Sequence, residues 1–485
     1  MNMPNIKWED YLCCGSAQGR RWCVGGVALL LAAFGVDLAR AQATSPATPV
    51  QQAGQLPPAA DDPNRPAGVT QNPTRRNSWS DAQGRAYQRS SSGTWTNYDE
   101  SKANLYPLPD PLVLKNGQLV KDADTWWKLR RPEILEDFRA QMYGRIPDNT
   151  PKVTWEVTAT DAKAAGGLAI KKTVVGHIDN ARYPAANPSI NLTTYTPANA
   201  TGPVPMIVVV VAGPGGYGAP RPGAPTTEPE PAPGSPLYQL LAIGWGYGTM
   251  EVGPVQNDYG GGLTSGIIGL MSGGQPRKPD DWGALAAWAW GLSRAMDYFE
   301  TDKSIDAKQM GVEGHSRYGK TALLAAALDP RWAIVYASCS GEGGAKPSRR
   351  NFGETVDNVA SSYWFAPNFR KYAGGHWNDL PVDSDELIAL VAPRPIFLNG
   401  GTGDAWADPH GAFLAAVAAG PVYRLLGKKD LGSTAMPAPD AALTSGEIAF
   451  RFHAGGHSDV PDWPAFLQFA QRYLKAPGAQ ASPKK

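Results

Sequence analysis

The chain has 485 residues, enough for one large domain or two smaller ones. Its 45 Lys and Arg balance 44 Asp and Glu for a net charge of +1, with no basic or acidic block, so nothing in it points to nucleic acid as a partner. Sixteen Trp and 54 Gly indicate a loop-rich protein with aromatic surfaces, a common feature of carbohydrate sites.

The N-terminus reads as a secretory signal over residues 1–43. Arg20-Arg21 supply a positive end and residues 22–36 an apolar run. Ala39-Arg40-Ala41 and Ala41-Gln42-Ala43 are small-residue cleavage sites. The run is short for a membrane span, which leaves an uncleaved anchor as the weaker alternative. Arg20-Arg21 with these flanks fits a twin-arginine signal poorly. Cys13, Cys14 and Cys23 fall inside the signal, so the mature chain keeps Cys339 alone and has no intramolecular disulfide. Residues 44–92 are rich in Pro, Gln, Ala and Ser without apolar period and read as a disordered linker. Residues 93–478 remain as a single catalytic domain, with excess length in loops and insertions.

Within that domain, residues 126–143 have helical spacing, with Trp127, Ile134, Phe138 and Met142 on one face. Residues 153–158, 170–176 and 190–195 read as strands of an antiparallel edge. The near-continuous apolar run 204–211 is the mark of a buried parallel strand. It leads into the loop Ala212-Gly213-Pro214-Gly215-Gly216. Residues 218–235 form a surface loop, and two apolar runs, 240–244 and 247–252, flank a turn. In 282–299, Leu285, Trp288, Ala289, Leu292, Met296 and Phe299 recur at helical steps. Strands follow at 333–337, 395–399 and 448–452, and residues 464–474 close the domain as an amphipathic helix. Alternating strands and helices after residue 204 predict an α/β fold with a mostly parallel sheet covered on both faces.

Between helix 282–299 and strand 333–337 lies Gly311-Val312-Glu313-Gly314-His315-Ser316-Arg317-Tyr318-Gly319-Lys320. An apolar run precedes it and a helical pattern, 321–328, follows. Gly314-x-Ser316 in a strand–turn–helix context reads as a nucleophile elbow, with the second glycine one place later than usual. This narrows the fold to an α/β-hydrolase, a three-layer αβα sandwich. On that fold the order is Ser, then Asp or Glu, then His. Of six histidines, His177 precedes the serine and His315 adjoins it, expected to point away from it. His376 and His410 stand in other loops. His457, in Gly455-Gly456-His457, follows the last strand and fits the base best, with His453 as its rival. Asp404 follows strand 395–399 through Gly400-Gly401-Thr402-Gly403 and fits the acid. Asp408 and Glu342 are its rivals. His453 and His457 have a His-x-x-x-His spacing, but Gly455-Gly456 argue against the helix that would align them on a metal, and no Cys-x-x-Cys occurs. The residues point to no metal and no cofactor.

Gly314-x-Ser316-Arg317-x-Gly319-Lys320 resembles the signature of carbohydrate esterase family 15, the glucuronoyl esterases. Tyr106-Pro107-Leu108-Pro109-Asp110-Pro111, Arg130-Arg131-Pro132-Glu133-Ile134, Ser340-Gly341-Glu342-Gly343-Gly344, Arg349-Arg350-Asn351-Phe352-Gly353-Glu354, Gly403-Asp404-Ala405-Trp406-Ala407-Asp408-Pro409 and His453-Ala454-Gly455-Gly456-His457 agree in the right order, from about residue 98 to 474. They look closest to the bacterial branch. The resemblance implies hydrolysis of esters between (4-O-methyl-)glucuronic acid on xylan and lignin alcohols, with Ser316 as nucleophile and His457 as base. It implies Arg317 at the oxyanion, Lys320 and Glu354 on sugar hydroxyls, and Trp406 lining the sugar pocket. One position departs: where many members have a triad Glu just before Ser-Gly-x-Gly-Gly, this chain has Cys339. The acid is then Asp404, as in some bacterial members. An acetyl xylan esterase-like activity and a non-catalytic carbohydrate-binding relative are the alternatives. The expected state is an exported monomer.

Overall fold

Runs such as Val204–Val211 carry apolar side chains on both sides, so both faces of their sheet need cover. The computed structural model describes residues 58–73, 78–90, 93–103, 107–213, 232 and 234–478. The expected signal and cleavage sites, residues 44–57 of the expected linker, Tyr106 and the loop 214–231 lie outside them.

The strands are β1 (Thr70–Gln71), β2 (Trp79–Ser80), β3 (Ala86–Tyr87), β4 (Val153–Lys163), β5 (Ala169–Ile178), β6 (Ser189–Pro197), β7 (Val204–Val211), β8 (Gly246–Glu251), β9 (Ile305–His315), β10 (Ile334–Ser338), β11 (Ile396–Gly401), β12 (Ala442–Leu443) and β13 (Ile448–His453). Ten of them form one sheet in the order β12-β13-β11-β10-β9-β7-β8-β6-β5-β4. The pairs linking β13 through β11, β10, β9 and β7 to β8 are parallel. Strands β6, β5 and β4 continue it as the antiparallel edge that the sequence predicts.

Side chains alternate across the sheet. On β10, Val335 and Ala337 join a large core with helices Ala284–Phe299, Arg317–Leu328 and Pro409–Leu425. Ile334 and Tyr336 join a second core with helices Pro236–Ala242 and Trp463–Ala470. There Tyr336 meets the rings of Phe397, Phe466 and Trp463 at 5.0, 4.8 and 5.9 Å. Such ring pairs contribute about 0.5–1.5 kcal/mol each beyond burial. The three layers are those of the α/β-hydrolase fold, and they leave the C-terminal ends of β9, β10, β11 and β13 side by side.

Two expectations change. Helical spacing puts Trp127 on the buried stripe of residues 126–143, but it is 38% exposed and Trp126 is fully buried instead. Residues Trp126–Arg130 form a π-helical turn, whose wider step rotates the stripe by one residue. The Arg131 guanidinium covers the exposed Trp127 ring at 5.7 Å. The second change concerns the linker. Its described residues from Ala59 onward are folded: β1, β2 and β3 make a small antiparallel sheet. Val69, Trp79, Tyr87 and Trp95 form its core, with Trp79 edge-on to Trp95 at 5.4 Å. Asp62 is buried there between Arg89 (2.5 Å) and Trp95 Nε1 (2.8 Å). A few large aromatics closed this core although the composition around them is polar. Asn97 then ties the module to the main body, accepting from Gly353 N–H (2.9 Å) and donating to Asn351 O (2.8 Å).

Candidate active site

Strand β9 ends at His315 and the next helix starts at Arg317, so Ser316 alone makes the turn. Its φ of 60° and ψ of −128° lie where a side chain is strained, at a cost of order 1–3 kcal/mol. Ser316 N–H donates to Ser338 O at the end of β10 (2.9 Å), which holds the turn against its neighbour strand. The glycines follow from close approach. A Cβ on Gly314 would stand 2.1 Å from Tyr318 O, and one on Gly319 2.6 Å from Ser338 O. The late second glycine is therefore the residue at which the helix passes the end of β10.

The ends of β11 and β13 are tied together by backbone bonds. Thr402 N–H reaches His453 O (2.9 Å) and Gly403 N–H reaches Gly455 O (2.7 Å). This brings Asp404 Oδ2 to 2.7 Å from His457 Nδ1. Asp404 is buried, while the His457 side chain is 38% exposed. A carboxylate only accepts, so the bond keeps a proton on Nδ1 and leaves the Nε2 lone pair available. The His315 ring lies 4.4 Å from that of His457, and its Nδ1 is 3.1 Å from Ser338 Oγ. Burial, with His457 beside it, lowers the His315 pKa to about 4, so it is a neutral neighbour. His457 is thus packed against the residue that precedes Ser316.

Cys339, at the end of β10, belongs to the same cluster: its Sγ and ligating atoms of Asp404 and His457 lie within 4.8 Å of one another. The thiol's partner is Ser458 O, at 3.7 Å. Burial, and then the nearby Asp404 charge, push the thiol pKa well up, so it stays neutral.

The rival residues are occupied elsewhere. Asp408 caps helix Pro409–Leu425 through Gly411 N–H (3.0 Å) and pairs with buried Arg350 (2.8 Å). Glu342 is buried against Lys346 (3.0 Å) and Ser348 (2.5 Å). His453 is fully buried, between Gly456 O (3.0 Å) and Asp462. His177, His376 and His410 sit exposed beside Glu156, Asp379 and Glu100.

The residues expected around the sugar also gather near the elbow. Lys320, alone on a helix, reads as a solvated lysine, yet it is 3% exposed. Its Nζ donates to Glu354 Oε2 and Ser340 O, both at 2.7 Å. Gly341, with φ of 55°, makes this possible: a Cβ there would come within 2.5 Å of Glu354 Oε2. Trp406 is half-buried beside them, its carbonyl accepting from Glu354 N–H (2.8 Å). Arg317 lies at the helix start, 4.8 Å over the Trp364 ring and 3.3 Å from Asp258.

The chain resembles known proteins over most of its length. A family model described as "Glucuronyl esterase, fungi" matches residues 277–427. The chain is 38% identical over 410 residues to carbohydrate esterase MZ0003 of an unknown prokaryotic organism, covering 78% of this chain and 92% of that one. It is 30% identical over 338 residues to 4-O-methyl-glucuronoyl methylesterase 1 of Phanerochaete chrysosporium, covering 67% and 63%. The solved structure of a CE15 glucuronoyl esterase from Teredinibacter turnerae superimposes with a TM-score of 0.71 at 40% identity, over 78% of this chain and 92% of that one. One from Solibacter usitatus gives 0.69 at 38%, over 77% and 99%. The chain belongs to carbohydrate esterase family 15.

Three neighbours of the site in this family 15 chain were not legible in its sequence. Asp258 follows the short helix Val252–Val255 after β8, and Tyr363 and Trp364 stand in a loop about a hundred residues later. No spacing or period links them. Only the folded chain brings Tyr363 OH (2.7 Å) and Trp364 Nε1 (3.2 Å) onto the Asp258 carboxylate.

Proposed function

We propose that this family 15 protein hydrolyses the ester between (4-O-methyl-)glucuronic acid of xylan and lignin alcohols through an acyl-enzyme on Ser316. The observation that carries the reading is the strained Ser316 turn beside the Asp404–His457 bond, with the buried Lys320–Glu354 pair one helical turn away. His457 Nε2 takes the Ser316 proton as Oγ attacks the uronoyl carbonyl, and Asp404 stabilises the imidazolium. Arg317 donates to the oxygen on which negative charge develops. The tetrahedral intermediate collapses, the C–O bond to the alcohol breaks, and His457 returns the proton to the leaving oxygen. Water then repeats both steps and frees the glucuronate. Lys320 and Glu354 hold sugar hydroxyls, and Trp406 lines the pocket.

The substrate is reached as an exported monomer, by the signal pattern of residues 1–43. Among the described residues no helix is long and apolar enough to cross a membrane. Relative turnover of benzyl glucuronate and acetylated xylan tests the reading. Glucuronate ester cleavage that dominates and disappears in Ser316→Ala supports it. Faster release of acetate, or no covalent labelling of Ser316 by a serine-reactive phosphonate, overturns it.

A further inference from the structure

Arg317 is long and flexible, yet an oxyanion donor works only if it is aimed before the reaction starts. What aims it is found in the residues around Asp258. Asp258 is 5% exposed, and among the described residues four side chains from two elements donate to its carboxylate. Arg317 Nη1 (3.3 Å) and Tyr318 OH (3.2 Å) come from the helix that starts after Ser316. Tyr363 OH (2.7 Å) and Trp364 Nε1 (3.2 Å) come from the opposite loop, and Tyr363 OH also reaches Asp258 O (2.8 Å). Burial first, and Asp258 next, push both phenols up, so both remain donors. Trp364, fixed by its Nε1 bond, presents its ring to the Arg317 guanidinium at 4.8 Å and to Lys320 Nζ at 5.8 Å. The guanidinium is therefore held from one side by a charge and from its face by a ring, and the same carboxylate holds both. Its side chain remains 20% exposed.

We propose that Asp258 is a positioning residue: by anchoring Arg317 and Trp364 together, it sets the direction from which Arg317 meets the developing oxyanion. This rests on the oxyanion reading of Arg317. Asp258 touches no reacting atom. A purely stabilising carboxylate would produce the same contacts, so the test must separate the two.

The experiment is a double-mutant cycle on benzyl glucuronate with Asp258→Asn, Trp364→Phe and Arg317→Ala. Asp258→Asn keeps the shape but removes the charge that orients the guanidinium. We expect kcat to fall about 10-fold with KM changed less than about twofold, because misplacing a reacting partner acts on turnover. Trp364→Phe keeps a ring but loses the Nε1 bond, and should lower kcat about threefold; it covers the case in which Asp258→Asn does not fold. In the Arg317→Ala background each second change should then cost almost nothing. The proposal is overturned if the effects multiply in that background, which would mean a structural role independent of Arg317. It is also overturned if Asp258→Asn raises kcat, which would mean that the carboxylate mainly damps the arginine's charge. Arg317→Ala with wild-type kcat would instead overturn the oxyanion reading itself, and is a distinct result.

Discussion

Strands β10 and β11 end side by side, and one buried residue after each lies near His457: Cys339 after β10, Asp404 after β11. The two differ in a single property that matters to an imidazole. Asp404 carries a charge and lies 2.7 Å from Nδ1. Cys339 carries a thiol that burial keeps neutral, and its partner is a backbone carbonyl. Cys339 also holds φ of 44° and its N–H is fixed by Asn399 Oδ1 (3.1 Å), so the β10 end is as firmly built as the β11 end. Two carboxylates there would repel each other and raise the cost of burial, while one already fixes the ring. A well-built position near His457 is therefore not enough; charge decides which strand end holds its Nδ1.

The comparison assumes that the chemistry runs through Ser316. Ser316→Ala should lower turnover by about 10⁶-fold, the scale seen for a lost serine nucleophile. Alanine has no better access to φ of 60° than serine, so unfolding by urea should be nearly unchanged. Retention of more than a trace of activity in the pure variant would remove Ser316 from the mechanism.

The sharpest contrast between the strand ends comes from Asp404→Asn. The amide keeps the shape but favours the wrong imidazole tautomer, and the expected loss is about 10⁴-fold in kcat. Nearly wild-type turnover would mean that the β11 end is dispensable. Cys339→Glu in the same chain should restore part of the rate, since a carboxylate on β10 approaches the same ring.

These expectations were legible to different depths. The elbow, Asp404 and His457 were visible because chain order and glycine-rich turns encode them locally. The choice against Asp408, Glu342 and His453 was visible only as order. Their reasons lie in partners far along the chain, such as Arg350 on Asp408 and Asp462 beside His453. Lys320 and Trp127 show the limit of helical spacing. It places a side chain on a face, but not the π-turn that rotates the face or the loop that covers it. The sheet of residues 70–87 was hidden because its core rests on four aromatic and apolar residues in a polar stretch.

The Lys320–Glu354 pair changes what a substitution there measures. Removing one partner leaves the other charge buried, which costs about 3–5 kcal/mol. Lys320→Ala and Glu354→Ala should thus lower stability strongly as well as weaken glucuronate binding. Lys320→Met with Glu354→Gln should recover stability without recovering affinity. Calorimetry showing normal glucuronate affinity in that stable double variant would take the pair out of the pocket.

His315 adds a pH dependence beside the same ring. Its folded pKa, about 4, is below the ordinary 6.5, so the unfolded state binds the extra proton first. Stability from this group is present above about pH 6.5 and is lost as pH falls toward 4, by on the order of 2 kcal/mol. Urea unfolding of His315→Asn between pH 7 and 4.5 should show a flatter profile than wild type. An equal slope in both would place the acid sensitivity elsewhere.

The smallest effect belongs to the other strand end. Cys339→Ala removes one buried sulfur whose bond to Ser458 O is long, and a buried thiol behaves much like a small apolar group. The cavity it leaves is about one atom in size, so the stability cost should be about 1 kcal/mol. The His457–Asp404 bond does not pass through the thiol, so kcat should stay within about twofold of wild type. The pH profile of kcat/KM is the stricter measure, because it reports the ionisation of the free enzyme's base. If the neutral thiol helped set His457, its removal would shift the acid limb of that profile even with kcat intact. An unshifted limb leaves Asp404 as the sole strand-end partner of His457; a shifted one makes the two strand ends share the task after all.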